Sequence, residues 1–255
     1  MILATGNRRL DAYLADGYER VRGMSSAFSA SICGHIIRHQ REICVAGHIA
    51  EIGTFEGRFF IAMAMGLNRD EFAIGIDVFS WPSEKVLDHF HANCARFGLT
   101  DADYAAIKAN TAAMKPEDVL APARARGLAG PVRFFHIDGQ HDEENLACDL
   151  ALALPLMHEN GIIVLDDMLH PGYPDLTEFV HRWLRAHPEW RVLAIIDRED
   201  IVGAAKYVLC KVAATGHYEA DLLKSFAAQV WPIGCDCVGH FTMVLTPDPR
   251  LAVVE

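Results

Sequence analysis

Short apolar runs alternate with helix-like segments through the middle of the chain, and two of these runs end in acids. One run ends at Asp138, and a later run ends at Asp166 and Asp167. Strands that are buried on both faces appear as continuous apolar runs, and ligands of open α/β sheets lie beyond the carboxyl ends of the strands. If these strands are neighbours, three carboxylates and the imidazole of His141 face one crevice.

The same alternation continues over residues 48–212 and predicts the fold class. The last two strands are separated by only seven residues, too few for a helical crossover, so we expect this pair to be antiparallel. The pattern therefore predicts an α/β fold with a doubly wound, mostly parallel sheet of seven strands. The predicted strands are 48–52, 72–77, 104–108, 132–138, 161–165, 190–196 and 204–212, and the predicted helices between them are 59–65, 82–97, 115–126, 143–157 and 176–187.

The whole chain is predicted to form a single domain, residues 1–255, because 255 residues suffice for one substantial core. Apolar residues at helical spacing predict an N-terminal helical cover over residues 1–47, with a break at residues 23–26. We expect residues 48–212 to form the core that binds a cofactor. Residues 213–255 are expected to form an extension with a helix at 219–231 and a strand-like run at 241–245.

Composition and charge narrow the class of partner. The formal net charge of −11 argues against nucleic acid or an anionic membrane surface as the partner. Seven scattered cysteines indicate reduced thiols, and Cys235, Cys237 and His240 are spaced too closely for a usual zinc site. The sequence shows neither a signal peptide nor an apolar run of membrane-spanning length. We therefore expect a cytoplasmic protein with a small-molecule partner, and a homo-oligomer stays open.

A strand, a glycine turn and a helix follow one another around residues 48–65. Gly53 permits a sharp turn, and Gly57 permits close approach of the backbone to a ligand or to the strand. The next strand ends at Asp77, where a carboxylate is placed to accept two ribose hydroxyls. The third glycine of the dinucleotide pattern is missing, and Glu51 is a poor neighbour for a pyrophosphate. These residues favour a nucleoside ligand without phosphate, and S-adenosylmethionine fits that description.

On these residues the chain resembles the class I S-adenosylmethionine-dependent methyltransferases. Glu51 to Gly57 resemble that family's first motif, and Asp77 matches its ribose-binding acid. Over residues 48–212 the chain is similar to metal-dependent small-molecule O-methyltransferases of the catechol and macrolide-sugar types. The run from Ile137 to His141 resembles the acid-glycine-x-histidine motif of the sugar-modifying group. Asp167 stands where the catechol enzyme has an amide, so a sugar or polyketide-type hydroxyl is favoured over a catechol.

The resemblance implies a role for each matching residue. Asp138 and His141 would be catalytic, and a divalent cation would be bound by Asp138, Asp166 and Asp167. The implied cofactor-binding residues are Glu51, Gly53, Thr54, Gly57, Asp77, Asn110, Thr111 and Asp138.

Elementary electrostatics agrees with a cation at this position, because three carboxylates in one crevice repel one another unless a positive charge lies between them. Oxygen ligands favour Mg²⁺ over zinc. The metal would lower the pKa of an acceptor hydroxyl, and His141 would take the proton. Three alternatives stay open: a metal-independent methyltransferase in which Asp138 and His141 act directly, a nicotinamide-dependent oxidoreductase, and a cofactor-binding module without catalysis.

Overall fold

The computed structural model describes residues 1–250, and over that range it shows one sheet of nine strands. The strands are β1 (His48–Ile52), β2 (Ala73–Asp77), β3 (Tyr104–Lys108), β4 (Val132–Ile137), β5 (Met157–Met168), β6 (Trp190–Ile196), β7 (Ala205–Lys211), β8 (Cys235–Cys237) and β9 (His240–Leu245). The α-helices are α1 (Arg8–Asp16), α2 (Ala27–Glu42), α3 (Arg58–Ala64), α4 (Val86–Arg96), α5 (Pro116–Arg124), α6 (Glu143–Ala153), α7 (Pro174–Ala186) and α8 (Thr215–Ser225).

The strand order is β3-β2-β1-β4-β5-β7-β6-β9-β8, and the first five of these strands are parallel. Strand β7 runs antiparallel to both β5 and β6, as the short connection predicts. Chain order reverses between β1 and β4, and the carboxyl ends at such a switch point form a ligand crevice. The register pairs Ile52 with Ile137 and Ile137 with Leu165, so the residues that follow these strands are brought side by side.

Two apolar cores lie on the two faces of the sheet. One core contains the buried side chains of α2, α3 and α8, and the other contains those of α5, α6 and α7. The central strands are buried along their whole length, which is why they appear in the sequence as continuous apolar runs. The predicted doubly wound α/β fold with a mostly parallel sheet is confirmed. None of the helices formed by residues 1–250 is both long and apolar enough to cross a membrane.

The predicted count of seven strands is wrong, because the C-terminal segment adds two strands to the sheet within residues 1–250. Strand β9 lies parallel to β6, with Ala194 opposite Met243, and β8 forms a hairpin with β9. The apolar run at 241–245 is therefore a sheet strand rather than part of a separate tail. The predicted helix at 219–231 begins and ends earlier, as α8, and residues 251–255 lie outside the described range.

Three helix boundaries also differ from the prediction. Helix α4 begins at Val86 rather than near Pro82, since residues 81–85 form bends and a turn before it. Helix α6 ends at Ala153 rather than at 157, because a proline at position 155 leaves the next residues in a 3₁₀ turn. Helix α2 ends at Glu42, five residues before the predicted boundary.

A buried ion pair joins the N-terminal helices to the sheet. Arg133 of β4 is fully buried, and its guanidinium donates to both carboxylate oxygens of Glu71 at 2.7 and 2.8 Å. The same guanidinium donates to the side chain of Gln40 and to the carbonyl of Ile37 in α2. Because a buried charge is stable only when it is paired and hydrogen-bonded, these contacts fix α2 against the amino end of β4.

Candidate functional site

The loop after β1 packs directly against the chain that leaves β4. Gly53 has a φ of +82°, and a Cβ atom at this position would lie 1.7 Å from the carbonyl oxygen of Asp138. Gly57 has a φ of +92° and begins α3. The amide of Asp138 in turn donates to the carbonyl of Ile52 at 2.9 Å. The sharp turn predicted at Gly53 is therefore also a close approach between two backbones.

We expect Gly53→Ala to destabilise the fold by at least about 3 kcal/mol, because the substitution adds a backbone clash to the cost of a positive φ. Gly127→Ala is the matched control: its φ is +74°, and nothing lies within 4 Å of the added atom. The control should cost only about 1–2 kcal/mol. Urea unfolding of both variants measures the difference, and equal losses would show that the close approach has no energetic weight.

The carboxylate of Asp77 holds two loops in place at the end of β2. One oxygen accepts the amide of Phe55 at 2.9 Å, and the other accepts the amide of Phe79 at 2.7 Å. The side chain also faces the cavity described next. Each carboxylate oxygen keeps a second lone pair for a ligand, so the arrangement is compatible with the predicted ribose contact.

A cavity of about 370 Å³ opens at the carboxyl ends of β1, β2 and β4. Gly57 is the one predicted cofactor residue that does not line it; Gly57 shapes the turn into α3 instead. Ser25, Arg58, Trp81 and Asn145 also line the cavity, and the sequence had not singled them out as site residues. The predicted residues that the cavity brings together are Glu51, Gly53, Thr54, Asp77, Asn110, Thr111, Asp138 and His141.

Two buried oxygen atoms in the cavity wall have no hydrogen-bond partner within residues 1–250: Oε2 of Glu51 and Oγ1 of Thr54. The other oxygen of Glu51 lies 2.8 Å from Nδ1 of His136. Burial raises the pKa of Glu51, and His136 opposes that rise. Because buried polar atoms in proteins are nearly always paired, these two oxygens are suited to contact a bound ligand.

His141 lies between two carboxylates. Its Nε2 atom is 2.8 Å from Oδ2 of Asp167 and 3.7 Å from Oδ1 of Asp138. Burial alone would lower the pKa of His141, but hydrogen bonds with both acids raise it to about 11. Burial and the charge of Asp166 raise the pKa of Asp138 to about 7. The imidazole is thus held as an imidazolium, so the carboxylate of Asp138 is the member of the pair that is free to accept a proton.

The sequence did not identify Lys206, which places a buried ammonium group beside Asp166. Lys206 projects from β7, donates to Oδ2 of Asp166 and donates to Oγ of Ser25 at 3.1 Å. Burial alone would raise the pKa of Asp166, but Lys206 and His136 hold it well below the usual range. Burial likewise opposes the charge of Lys206, yet Asp166 and Asp138 raise its pKa above the usual lysine value.

The predicted metal ligands do not form one group in this structure. Within residues 1–250, clusters with ligand atoms within 4.8 Å of one another combine Asp138 with His136 and Asp166, or Asp138 with His141 and Asp167. The three predicted carboxylates are therefore divided between two clusters. Asp166 forms an ion pair with a lysine, and Asp167 forms one with a histidine. In this arrangement the three carboxylates do not fit around one Mg²⁺ ion.

A comparison with protein-family models matches residues 50–168 to a model described as a methyltransferase domain. The chain carries a methyltransferase domain. The matched segment of this methyltransferase runs from β1 to the end of β5, and it includes Glu51, Asp77, Asp138, His141 and Asp166. The prediction that the chain is a methyltransferase is confirmed. A comparison with curated proteins finds no match.

Solved structures of O-methyltransferases share the fold of this methyltransferase. NovP matches with a TM-score of 0.56 and 15% identity, covering 73% of this chain and 80% of its own. TomG from Streptomyces achromogenes matches with 0.55 and 19%, covering 80% and 89%. A putative caffeoyl-CoA O-methyltransferase from Staphylococcus aureus matches with 0.58 and 15%, covering 81% and 93%. The predicted resemblance to class I methyltransferases of O-methyltransferase type is confirmed at the level of the fold.

Proposed function

We propose that this methyltransferase transfers a methyl group from S-adenosylmethionine to a hydroxyl group of a small molecule. The observation that carries the proposal is the single cavity at the switch point, which joins the loop after β1, the acid of β2 and the His141–Asp138 pair. The matched structure of TomG is described as a complex with S-adenosylmethionine, and that of an O-methyltransferase from Bacillus cereus as a complex with SAH. Both descriptions support this choice of cofactor.

The cavity wall suits a cationic nucleoside better than a dinucleotide. Asp77 would accept the ribose hydroxyls, and the unpaired oxygen of Glu51 would accept from the amino group of an amino-acid tail. A second negative charge next to Glu51, as in a pyrophosphate, would be repelled. Asn110 and Thr111 also line the cavity, and the adenine would lie beside them. The nicotinamide-dependent alternative is therefore not favoured.

S-adenosylmethionine would supply the electrophilic methyl group, and the residues of the chain would align and deprotonate the acceptor. Methyl transfer is an in-line displacement, so fixed positions of the two reactants account for much of the rate. The acceptor hydroxyl would lose its proton to the carboxylate of Asp138, which lines the cavity beside the imidazolium of His141. Asp167 orients the imidazole through its 2.8 Å contact. No step in this scheme uses Mg²⁺, because the predicted ligand set does not assemble around one ion.

The acceptor is proposed to be a sugar or polyketide-type hydroxyl rather than a catechol. Where the catechol enzyme has a lysine, this chain has His141, whose ring lies 4.4 Å from the ring of Tyr173. The ring of His170 also stacks on the ring of Tyr173, with their centroids 4.7 Å apart. This aromatic wall beside the proton-accepting pair supports a ring-shaped acceptor that presents a hydroxyl to His141.

Labelled S-adenosylmethionine with a library of sugars and polyketide-type alcohols tests the proposed activity, and transfer of label to a hydroxyl is the expected result. Binding of NAD but not of S-adenosylmethionine, measured by calorimetry, would overturn the proposal. Label found on an amine or a carbon atom, and never on oxygen, would refute the acceptor chemistry.

For cofactor binding, we expect Asp77→Ala to weaken the affinity for S-adenosylmethionine by about tenfold to a hundredfold, because two hydroxyls lose their acceptor. Asp88→Ala is the control, since Asp88 is an exposed acid in the first turn of α4. Calorimetry on both variants gives the comparison. An unchanged dissociation constant for Asp77→Ala would mean that the ribose is held elsewhere.

A further inference from the structure

Three carboxylates of the crevice each lie beside a basic side chain of the chain itself, and Asp138 lies 3.7 Å from one of these, His141. Glu51 lies 2.8 Å from a ring nitrogen of His136, and Asp167 lies 2.8 Å from a ring nitrogen of His141. Asp166 accepts a hydrogen bond from the ammonium of Lys206. The repulsion that made a divalent cation necessary in the sequence argument is therefore already compensated in the folded chain.

Lys206 occupies a closed position in the centre of this group. Its side chain is only 1% exposed. Ser25, from the segment before α2, accepts from the ammonium at 3.1 Å, and the ring of Phe59 from α3 lies 5.0 Å from it. Neighbours from three separate elements thus enclose the charge, so it is a fixed part of the site and not a solvated surface lysine.

We infer that the ammonium of Lys206 replaces the divalent cation predicted for this site, and that methyl transfer by this chain requires no divalent ion. The inference rests on the proposed function, because it concerns how the same site handles charge. Lys206 does not line the cavity. It is therefore a positioning residue that acts through Asp166, and not a group that touches the acceptor.

The contact path from Lys206 to His141 is continuous. Lys206 holds one oxygen of Asp166, and the other oxygen accepts the backbone amide of Asp167 at 2.8 Å. Asp167 has a φ of +57°, a conformation that non-glycine residues adopt only when the surroundings impose it. In this conformation its carboxylate reaches His141. The ammonium therefore fixes the strand end that orients the imidazole.

A metal ion and Lys206 exclude each other at this position. An ammonium and a divalent cation that share the carboxylate of Asp166 repel strongly, since the site is shielded from water. Removing the ammonium would leave Asp166 and Asp138 with His136 as the one basic side chain in their cluster, so their mutual repulsion would rise. Lys206→Met should consequently create a cation site that the natural chain does not have.

Calorimetry with Mg²⁺ and with Mn²⁺, in the presence of S-adenosylmethionine, tests the inference without an acceptor. We expect the natural chain and Lys206→Arg to show no binding in the millimolar range. Lys206→Met should bind the ion at least about tenfold more tightly than the limit set by the natural chain. Lys211→Met is the matched control, because Lys211 lies at the end of the same strand and outside the crevice. It should behave like the natural chain.

Activity gives the second measurement. EDTA should leave the turnover of the natural chain unchanged, whereas Lys206→Met should lose activity by about tenfold or more and recover part of it with Mg²⁺. Restoration by a metal is a response that loss of a merely structural lysine would not produce. Circular dichroism establishes whether Lys206→Met folds. If this variant does not fold, calorimetry and EDTA treatment of the natural chain still show whether methyl transfer needs a divalent ion.

Two results would overturn the inference: tight binding of Mg²⁺ by the natural chain with loss of turnover in EDTA, or a folded Lys206→Met that gains no affinity for either ion. A failure of the proposed function would be seen in a different result. Absence of methyl transfer to any hydroxyl would refute that function, while the calorimetric comparison of the natural chain with Lys206→Met would still test the role of the lysine.

Discussion

Replacing His141 with alanine is expected to reduce kcat by about 10²–10⁴-fold, the usual contribution of a positioned acid–base group. The variant loses the imidazolium that lies between Asp138 and Asp167, so the carboxylate that accepts the proton is no longer held in position. The affinity for S-adenosylmethionine should change far less, because that ligand is proposed to contact Glu51 and Asp77 and not His141. Steady-state kinetics together with calorimetric titration of the cofactor separates the two effects.

Asp167→Asn serves as the companion variant for this prediction. The amide oxygen of the asparagine keeps a contact with the imidazole, but the substitution removes one of the two negative charges beside the ring. We therefore expect kcat to fall by about tenfold, much less than in His141→Ala. His217→Ala, an exposed histidine in α8, should leave turnover unchanged. If His141→Ala kept nearly full kcat with a sugar acceptor, deprotonation by the His141–Asp138 pair would be the wrong mechanism.

Glu71→Ala is expected to lower the free energy of unfolding by about 3–5 kcal/mol, because the buried guanidinium of Arg133 would lose its carboxylate partner. Both side chains are almost fully buried. The control is Glu84→Ala, which removes an exposed ion pair with Lys108 and should cost less than about 1 kcal/mol. Denaturant unfolding of the two variants gives the comparison, and similar losses would mean that water reaches Arg133.

The stability that Glu71 contributes should decrease as the pH is lowered. Burial alone would raise the pKa of Glu71, but the hydrogen bonds from Arg133 hold it below the ordinary glutamate value of 4.5. A carboxyl group whose pKa is lowered by folding contributes stability above its unfolded pKa, and this contribution is lost as the pH falls through the folded pKa. The stability difference between the natural chain and Glu71→Ala should thus be full near neutral pH and shrink in acid.

The position of the site could be predicted because its acids follow buried strands. Asp77, Asp138 and Asp166 stand at or directly after the ends of apolar runs, and parallel strands bring such positions to one edge. Lys206 could not be assigned in the same way. Its partner depends on which strand lies beside β7, and β7 inserts between β5 and β6 rather than following β6 at the edge. A lysine inside an apolar strand indicates only that some buried partner exists.

The metal prediction shows how one missing neighbour changes an electrostatic argument. Asp138, Asp166 and Asp167 have no lysine or arginine next to them in sequence, so a cation appeared necessary. In the fold, however, a residue 40 positions after Asp166 bonds to it. Helix boundaries were misplaced for a similar reason. The loop before α4, for example, is held at the end of β2 by the contact of Phe79 with Asp77, which local sequence patterns do not reveal.

The pairing of β9 with β6 has a consequence for the order in which the chain can be assembled. Strand β6 ends at Ile196, and its partner begins at His240. While the chain is being synthesised, β6 consequently has one open edge until more than forty further residues have emerged. An open edge is a template for pairing with other chains, so the last strand of the sheet also protects each new molecule from its neighbours.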